Sequence, residues 1–215
     1  GQEHIDEPEE QIEVLQLLVH AGKRARESAA YASAAQYYRS ASELMQRYEQ
    51  HASLWFEHAQ LALTLHKDRA EMEFLEGNVE VSEGLIRLAA ERAPTPMQSA
   101  ETLSALIVQF TLRAQYPEAI ATAREALGGL GVELPSDGFS HHRDAEIESI
   151  RQFLSGRTPR SLADGPVMSD PLITTVCRLL ITLGPPCYRS HPKLWSVIVP
   201  KVVNLTLRHG HLPQI

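Results

Sequence analysis

Cysteine is nearly absent, with only Cys177 and Cys187 in a chain of 215 residues. A pair this sparse, ten apart and flanking Gly184-Pro185-Pro186, makes no disulfide framework and points to a reducing cytoplasm. Aromatics are scarce at 6%. Long apolar runs are missing too. The best stretch, Leu194 to Leu207, is broken by Pro200 and Lys201 and falls short of the ~18 apolar residues a membrane span needs. Positive charge is in deficit: the net charge is −7, which argues against a nucleic-acid backbone as the main ligand. The opening Gly1-Gln2-Glu3 has no Met, and no basic and apolar regions of a signal peptide follow it. It reads as a boundary within a longer protein, as does the end at His211-Leu212-Pro213-Gln214-Ile215.

Proline is missing from one long region. Of 13 prolines, only Pro8 precedes Pro94, and the 85 residues between them are rich in Ala, Leu, Glu, Gln and Arg. Long helices require such a stretch. What is present is otherwise ordinary: 43% hydrophobic and 22% charged residues exclude collagen-like and disordered classes. No Asn-Gly or Asp-Gly turn sits between alternating segments, so strands have no support and the chain is predicted to be all-α. Charge is uneven. Residues 1–92 carry 17 acidic and 9 basic side chains, and residues 93–215 carry 10 and 11.

Periodicity predicts the individual helices. The first runs from about Glu9 to Ser28 on Ile12, Leu15, Val19 and Gly22. The second follows a break at Ala30-Tyr31-Ala32 and presents Ala34, Tyr38, Ala41 and Met45. A third spans Leu54 to about Leu75, Gly77-Asn78 turns the chain, and Val79 to Glu91 forms a fourth. Ser99 to Arg113 and Glu118 to Leu127 repeat the pairing around Tyr116-Pro117, and Gly128-Gly129-Leu130-Gly131 stops the helix. Asp144 to Leu154 makes another helix, followed by a loop over 155–170. Leu172 to Leu183 and Lys193 to Arg208 are then two helices on either side of Gly184-Pro185-Pro186, with Pro200 kinking or splitting the last.

The hairpins share a register. Ala34-Tyr38-Ala41 aligns with Val81-Leu85-Leu88 and with Ala119-Ala123-Ala126, each stepping by four and then three. Leu18, Ala21, Gly22 and Ala25 precede the first triplet at the offsets of a tetratricopeptide repeat, and Leu103, Leu106, Ile107 and Phe110 precede the third. The predicted fold is therefore a tetratricopeptide-like α-solenoid of antiparallel helical hairpins, with about 8–9 helices. Residues 1–135 hold three such hairpins, and residues 136–215 continue the helical array with less repetition.

Later segments carry a family resemblance. Gly131-Val132-Glu133-Leu134-Pro135, Pro185-Pro186-Cys187-Tyr188, His191-Pro192-Lys193-Leu194 and Lys201 to Gly210 occur in an order similar to the helical linker region of large signalling ATPases of bacteria and fungi. The resemblance covers about Val14 to Gly210. In that family a kinase-like domain and an AAA-type ATPase domain precede the helical region, and a GAF sensor and a histidine kinase or other output domain follow it. It implies a place in a signal-transduction protein. The nucleotide-binding and kinase motifs of that architecture are absent from this chain.

Chemistry-bearing patterns are equally thin. No phosphate-binding Gly-x-x-x-x-Gly-Lys loop, His-Glu-x-x-His or Cys-x-x-Cys occurs. His51 and His58 are seven apart, ~10 Å along a helix, too far for one ion, and the adjacent His141 and His142 diverge. Glu71, Glu73, Glu76, Glu80 and Glu83 read as a solvated face around a turn, and Arg157-Thr158-Pro159-Arg160-Ser161 as a flexible loop, with a phosphosite or a basic docking segment the rival readings. Trp55, Phe56, Tyr48, Tyr188 and Trp195 read as core or interface packing.

No catalytic residue, metal or cofactor is expected. The predicted role is a non-catalytic module that binds protein, or couples neighbouring domains, in a cytoplasmic signalling ATPase or kinase. Contacts would come mainly from the first helix of each hairpin, which nominates Arg24, His58, Gln60, Gln109 and Arg113. Two alternatives stay open: a small-ligand sensor with a pocket between repeats, and self-association through the apolar last helices. Nucleic acid and membrane are not expected partners.

Overall fold

A computed structural model describes residues 8–49, 53–157 and 165–213. These residues are all-helical. Among the described residues ten helices follow one another: α1 (Pro8–Glu27), α2 (Tyr31–Tyr48), α3 (Leu54–Glu57), α4 (Ala59–Leu75), α5 (Val79–Glu91), α6 (Pro96–Leu112), α7 (Tyr116–Gly129), α8 (Phe139–Leu154), α9 (Pro171–Ser190) and α10 (Pro192–His209). The described residues contain no strand, only an isolated parallel bridge between Val167 and His211. None of their helices is long and apolar enough to cross a membrane.

Contacts divide the chain into two compact units, Gly1–Thr95 and Pro96–Ile215. This grouping differs in kind from the line at 135/136, which marks where repetition fades in the sequence. In the first unit α1 packs on α2, α2 on α4, α3 on α4 and α4 on α5. Leu15, Ala34, Tyr38, Ala41, Leu44, Leu54, Ala62, Leu65 and Met72 form its buried core. In the second, α6 packs on α7, both pack on α9, and α10 lies against α8 and α9.

The buried faces correct the predicted register at one helix. Ala34, Tyr38 and Ala41 are buried, as are Ala119, Ala123 and Ala126, but Val81 is 45% exposed. The inward residues of α5 are Ser82, Ile86 and Ala89, one position later and with the same steps of four and three. Intervals are then 48 residues from Ala34 to Ser82 and 37 from Ser82 to Ala119. Serine can face inward here because its hydroxyl donates to the Ala70 carbonyl at 2.6 Å, which satisfies it without water.

Three boundaries also differ from the periodicity. The predicted third helix is interrupted at His58, whose φ of −135° ends α3 before α4 begins. Gly184-Pro185-Pro186 breaks nothing: α9 runs through both prolines to Ser190. Two prolines remove two backbone donors, yet Leu183, Pro186 and Cys187 are buried on the inward face, and that burial holds the helix together. The break falls at His191 instead, because a residue before proline is pushed out of the α region. His191 has φ −140°, and its Nδ1 accepts the Leu194 N–H at 3.3 Å, capping α10. Helix α10 in turn is not split at Pro200.

Residues carrying the family resemblance occupy anchoring positions. The Arg124 guanidinium donates to the carbonyls of Leu134 at 2.6 Å and Pro135 at 2.8 Å, pinning the segment after α7. Arg124→Lys is expected to lose about 2 kcal/mol and to speed amide exchange across 131–135, because an ammonium cannot reproduce the two-pronged fork. Hydrogen exchange read by mass spectrometry checks this; unchanged exchange would remove Arg124 from the role. Cys187 is fully buried, and burial pushes its thiol pKa up to about 12; burial raises that of the buried Cys177 as well. Both thiols should therefore resist disulfide reagents in the native chain at pH 8 and react at the rate of unfolding.

Candidate functional site

Chemistry-bearing side chains of the first unit collect around α1, α2 and α4. The features there include two open grooves and a charge network.

The first groove runs between α1 and α2, about 620 Å³ in volume, over Leu17, Ala21, Ala25 and Tyr37. Arg24 and His20 line it as well, and Arg24 is solvent-exposed. Leu17 is 67% exposed, an unusual placement for leucine in the middle of an amphipathic helix. The second groove, about 570 Å³, is lined by Glu9, Ile12, Glu13, Gln16, Tyr48, Glu57 and His58. Its character is acidic. The Tyr48 hydroxyl donates to Glu57 at 2.5 Å, and that bond, ahead of burial, raises the phenol pKa to about 12.

The network ties α1 and α2 to α4. Arg26 donates to Asp68 at 3.3 Å and to Glu71 at 2.6 Å, and the Tyr38 hydroxyl reaches Asp68 at 3.3 Å. One turn on, Arg39 spans both oxygens of Glu73 at 2.9 and 2.7 Å and also contacts Glu76. Arg69 and Asn78 complete the shell of Glu73 at 3.3 and 2.8 Å. The two α4 carboxylates respond in opposite directions. Hydrogen bonds from Arg39, reinforced by Asn78 and Arg69, outweigh burial and hold Glu73 down to about 2. Asp68 has fewer close donors, and burial raises it.

Glu73 is thereby a correction to the predicted solvated face: at 3% exposure it is a buried, paired carboxylate. A sequence signal existed, because Glu73 lies four residues after Arg69 and eight after the buried Leu65, on the inward arc of α4. His66 belongs to the same interior. Burial lowers its pKa, its Nδ1–H donates to the Ala62 carbonyl at 2.8 Å, and its ring packs on Trp55 at 4.9 Å. Phe56, by contrast, is 88% exposed.

The five nominated contact residues do not gather in one place. Arg24 and His58 line different grooves of the first unit, and Gln60 is exposed on the first turn of α4. Arg113 is exposed just past the end of α6. Gln109 is 6% exposed and so does not present a surface for contact. Its spacing explains this: Thr102, Leu106 and Gln109 step by four and three along the buried arc of α6. His51 and the segment Thr158-Pro159-Arg160-Ser161 lie outside the described residues. Among the described residues no group of three or more His, Cys, Asp or Glu could hold a metal ion.

Comparison with known proteins adds one direction. The chain is similar to the hybrid signal transduction histidine kinase G of Dictyostelium discoideum, 22% identical over 232 residues. The likeness is to a signalling protein. It covers 98% of this chain but 7% of that relative, so the chain corresponds to a small part of a much longer polypeptide. No family model and no solved structure matches the chain.

Proposed function

We propose that the chain is a non-catalytic helical-repeat module of a cytoplasmic signal-transduction protein, with a tetratricopeptide-like stacking of hairpins. Its work is to bind protein segments or to couple neighbouring domains. The observation that carries this reading is the recurrence of the inward triplet in α2, α5 and α7, each helix packed on the one before it. Small inward residues let paired helices approach closely, and stacked pairs present extended surfaces rather than an enclosed reaction chamber. The grooves beside Arg24 and His58 suit a side chain of a bound segment. Similarity along nearly the whole chain to part of a hybrid histidine kinase supports the signalling context.

Titration calorimetry tests the role directly. The purified chain is titrated with separately produced polypeptides encoded on either side of it in its gene; saturable binding is expected. Heat of dilution alone, together with ATP hydrolysis above a mock preparation, would overturn the reading. A large, specific thermal stabilisation by one metabolite or nucleotide would favour a small-ligand sensor instead.

A further inference from the structure

Carboxylates vanish from the end of the chain. From Pro171 to Ile215 there is no Asp or Glu, against Arg178, Arg189, Lys193, Lys201 and Arg208. In a protein of net charge −7 this is a sharply reversed local charge. Lys201 and Arg208 are engaged with α8: Lys201 pairs with Glu146 at 3.2 Å, and Arg208 donates to Ser149 at 2.7 Å. Arg178, Arg189 and Lys193 are exposed and make no ion pair among the described residues. Lys193 sits in the first turn of α10, where the helix dipole disfavours a cation, so helix stability does not account for it.

Between these cations lies an apolar face that no described helix covers. On α9, steps of three and four put Arg178, Ile181, Pro185 and Tyr188 on one side, with Ile181 48% and Tyr188 63% exposed. On α10, Trp195, Val199 and Val203 follow steps of four and are likewise substantially exposed. The rings of Tyr188 and Trp195 meet edge to face at 5.4 Å, joining the two stripes at the α9–α10 turn. Each stripe extends about 10 Å, two helical turns.

We infer that this face docks an acidic amphipathic helix of a partner protein. The inference rests on the protein-binding role proposed above and names the site and the chemistry of its ligand. Two adjacent apolar stripes two turns long accept a helix with anchors at i, i+3 or i+4, and i+7. Tyrosine, tryptophan and arginine are the residues that most often carry binding energy at such surfaces. Helices α9 and α10 bring cations and no carboxylate of their own to the stripes, so a helix bearing Glu or Asp beside its apolar stripe is complementary, and a basic one is disfavoured.

The probe is a synthetic helix of about three heptads with Leu at the stripe positions and Glu flanking them, titrated into the full chain carrying Trp55→Phe. Trp195 is then the sole indole, and its emission should shift to the blue and saturate. Ile181→Asp with Val199→Asp should weaken binding by about tenfold or more. Arg178→Glu with Lys193→Glu should weaken it similarly, and should gain binding to the same peptide with Lys in place of Glu. A peptide that leaves emission unchanged, or that binds both variants as well as the parent, overturns the inference. So does binding of anionic phosphatidylserine vesicles without binding of the peptide, which would make the face a membrane surface. Concentration-dependent association of the chain abolished by Ile181→Asp with Val199→Asp would assign it to a second copy and also overturn it. Failure here with the calorimetric titration of the neighbouring segments still positive removes this site and leaves the protein-binding role standing.

Discussion

Gly22→Val is expected to destabilise the first unit by about 3 kcal/mol, and Gly22→Ala by less. A Cβ at Gly22 would stand 2.6 Å from Cε1 and 2.7 Å from Cζ of Tyr38. Those atoms belong to a ring that is 0% exposed and whose hydroxyl is held by Asp68, so the ring has nowhere to go without opening α1 from α2. For alanine two terms compete. Replacing glycine inside a helix gains about 1 kcal/mol of propensity, while overpacking a rigid core costs about 1–3 kcal/mol. Valine adds two more methyl groups and surrenders the propensity gain.

Gly84 supplies the control. It lies inside α5 with nothing within 4 Å of its would-be Cβ, so Gly84→Ala should stabilise by roughly 0.5–1 kcal/mol. Urea unfolding followed by Trp55 emission, in a Trp195→Phe background, reports the first unit alone. If Gly22→Ala and Gly84→Ala moved the midpoint in the same direction, close approach of α1 and α2 would not be what glycine serves at position 22.

Much of this arrangement was legible in the sequence. Glycine at 22, twelve residues before Ala34, already marked a close helix approach, and the turns at Ala30, Gly77-Asn78 and Tyr116-Pro117 separated the helices. Misreadings share a physical origin: a local rule was overridden by burial. Val81 is more apolar than Ser82, yet serine can satisfy its hydroxyl on a carbonyl, so the inward register follows geometry rather than hydropathy. Gly184-Pro185-Pro186 breaks a helix by local preference, but Leu183 and Cys187, both 0% exposed, anchor α9 on either side. Side-chain type does not reveal which arc of a helix a nominated contact residue occupies. Arg24 faces a groove, whereas Gln109, equally polar, faces inward. The exposed face of α9 and α10 had a plain sequence signal in the missing carboxylates from residue 171 onward, but its apolar stripes could be told from core only once the packing was known.

Arg39→Met is expected to destabilise the first unit by about 3 kcal/mol, more than most surface arginine changes, because it strands a buried carboxylate. Glu73 is 3% exposed, and Arg39 supplies two of its four donor contacts, leaving Arg69 at 3.3 Å and Asn78 at 2.8 Å to carry the charge. Removing both partners should be milder: Arg39→Met with Glu73→Leu leaves no unpaired charge and is expected to recover about half of the single-variant loss. Acid titration tests the same pair independently. The folded pKa of Glu73, about 2, lies below its unfolded value near 4.5, so the folded state prefers the ionised form. Its contribution is then complete above about pH 5 and is lost as the pH falls towards 2, a span worth roughly 3 kcal/mol. Glu73→Gln should be less stable than the parent at pH 7 and should flatten the decline between pH 5 and 2. Parallel curves for parent and variant across that window would show that Arg39 and Glu73 are neighbours without being coupled. The tie between α2 and α4 would then rest on apolar contact alone.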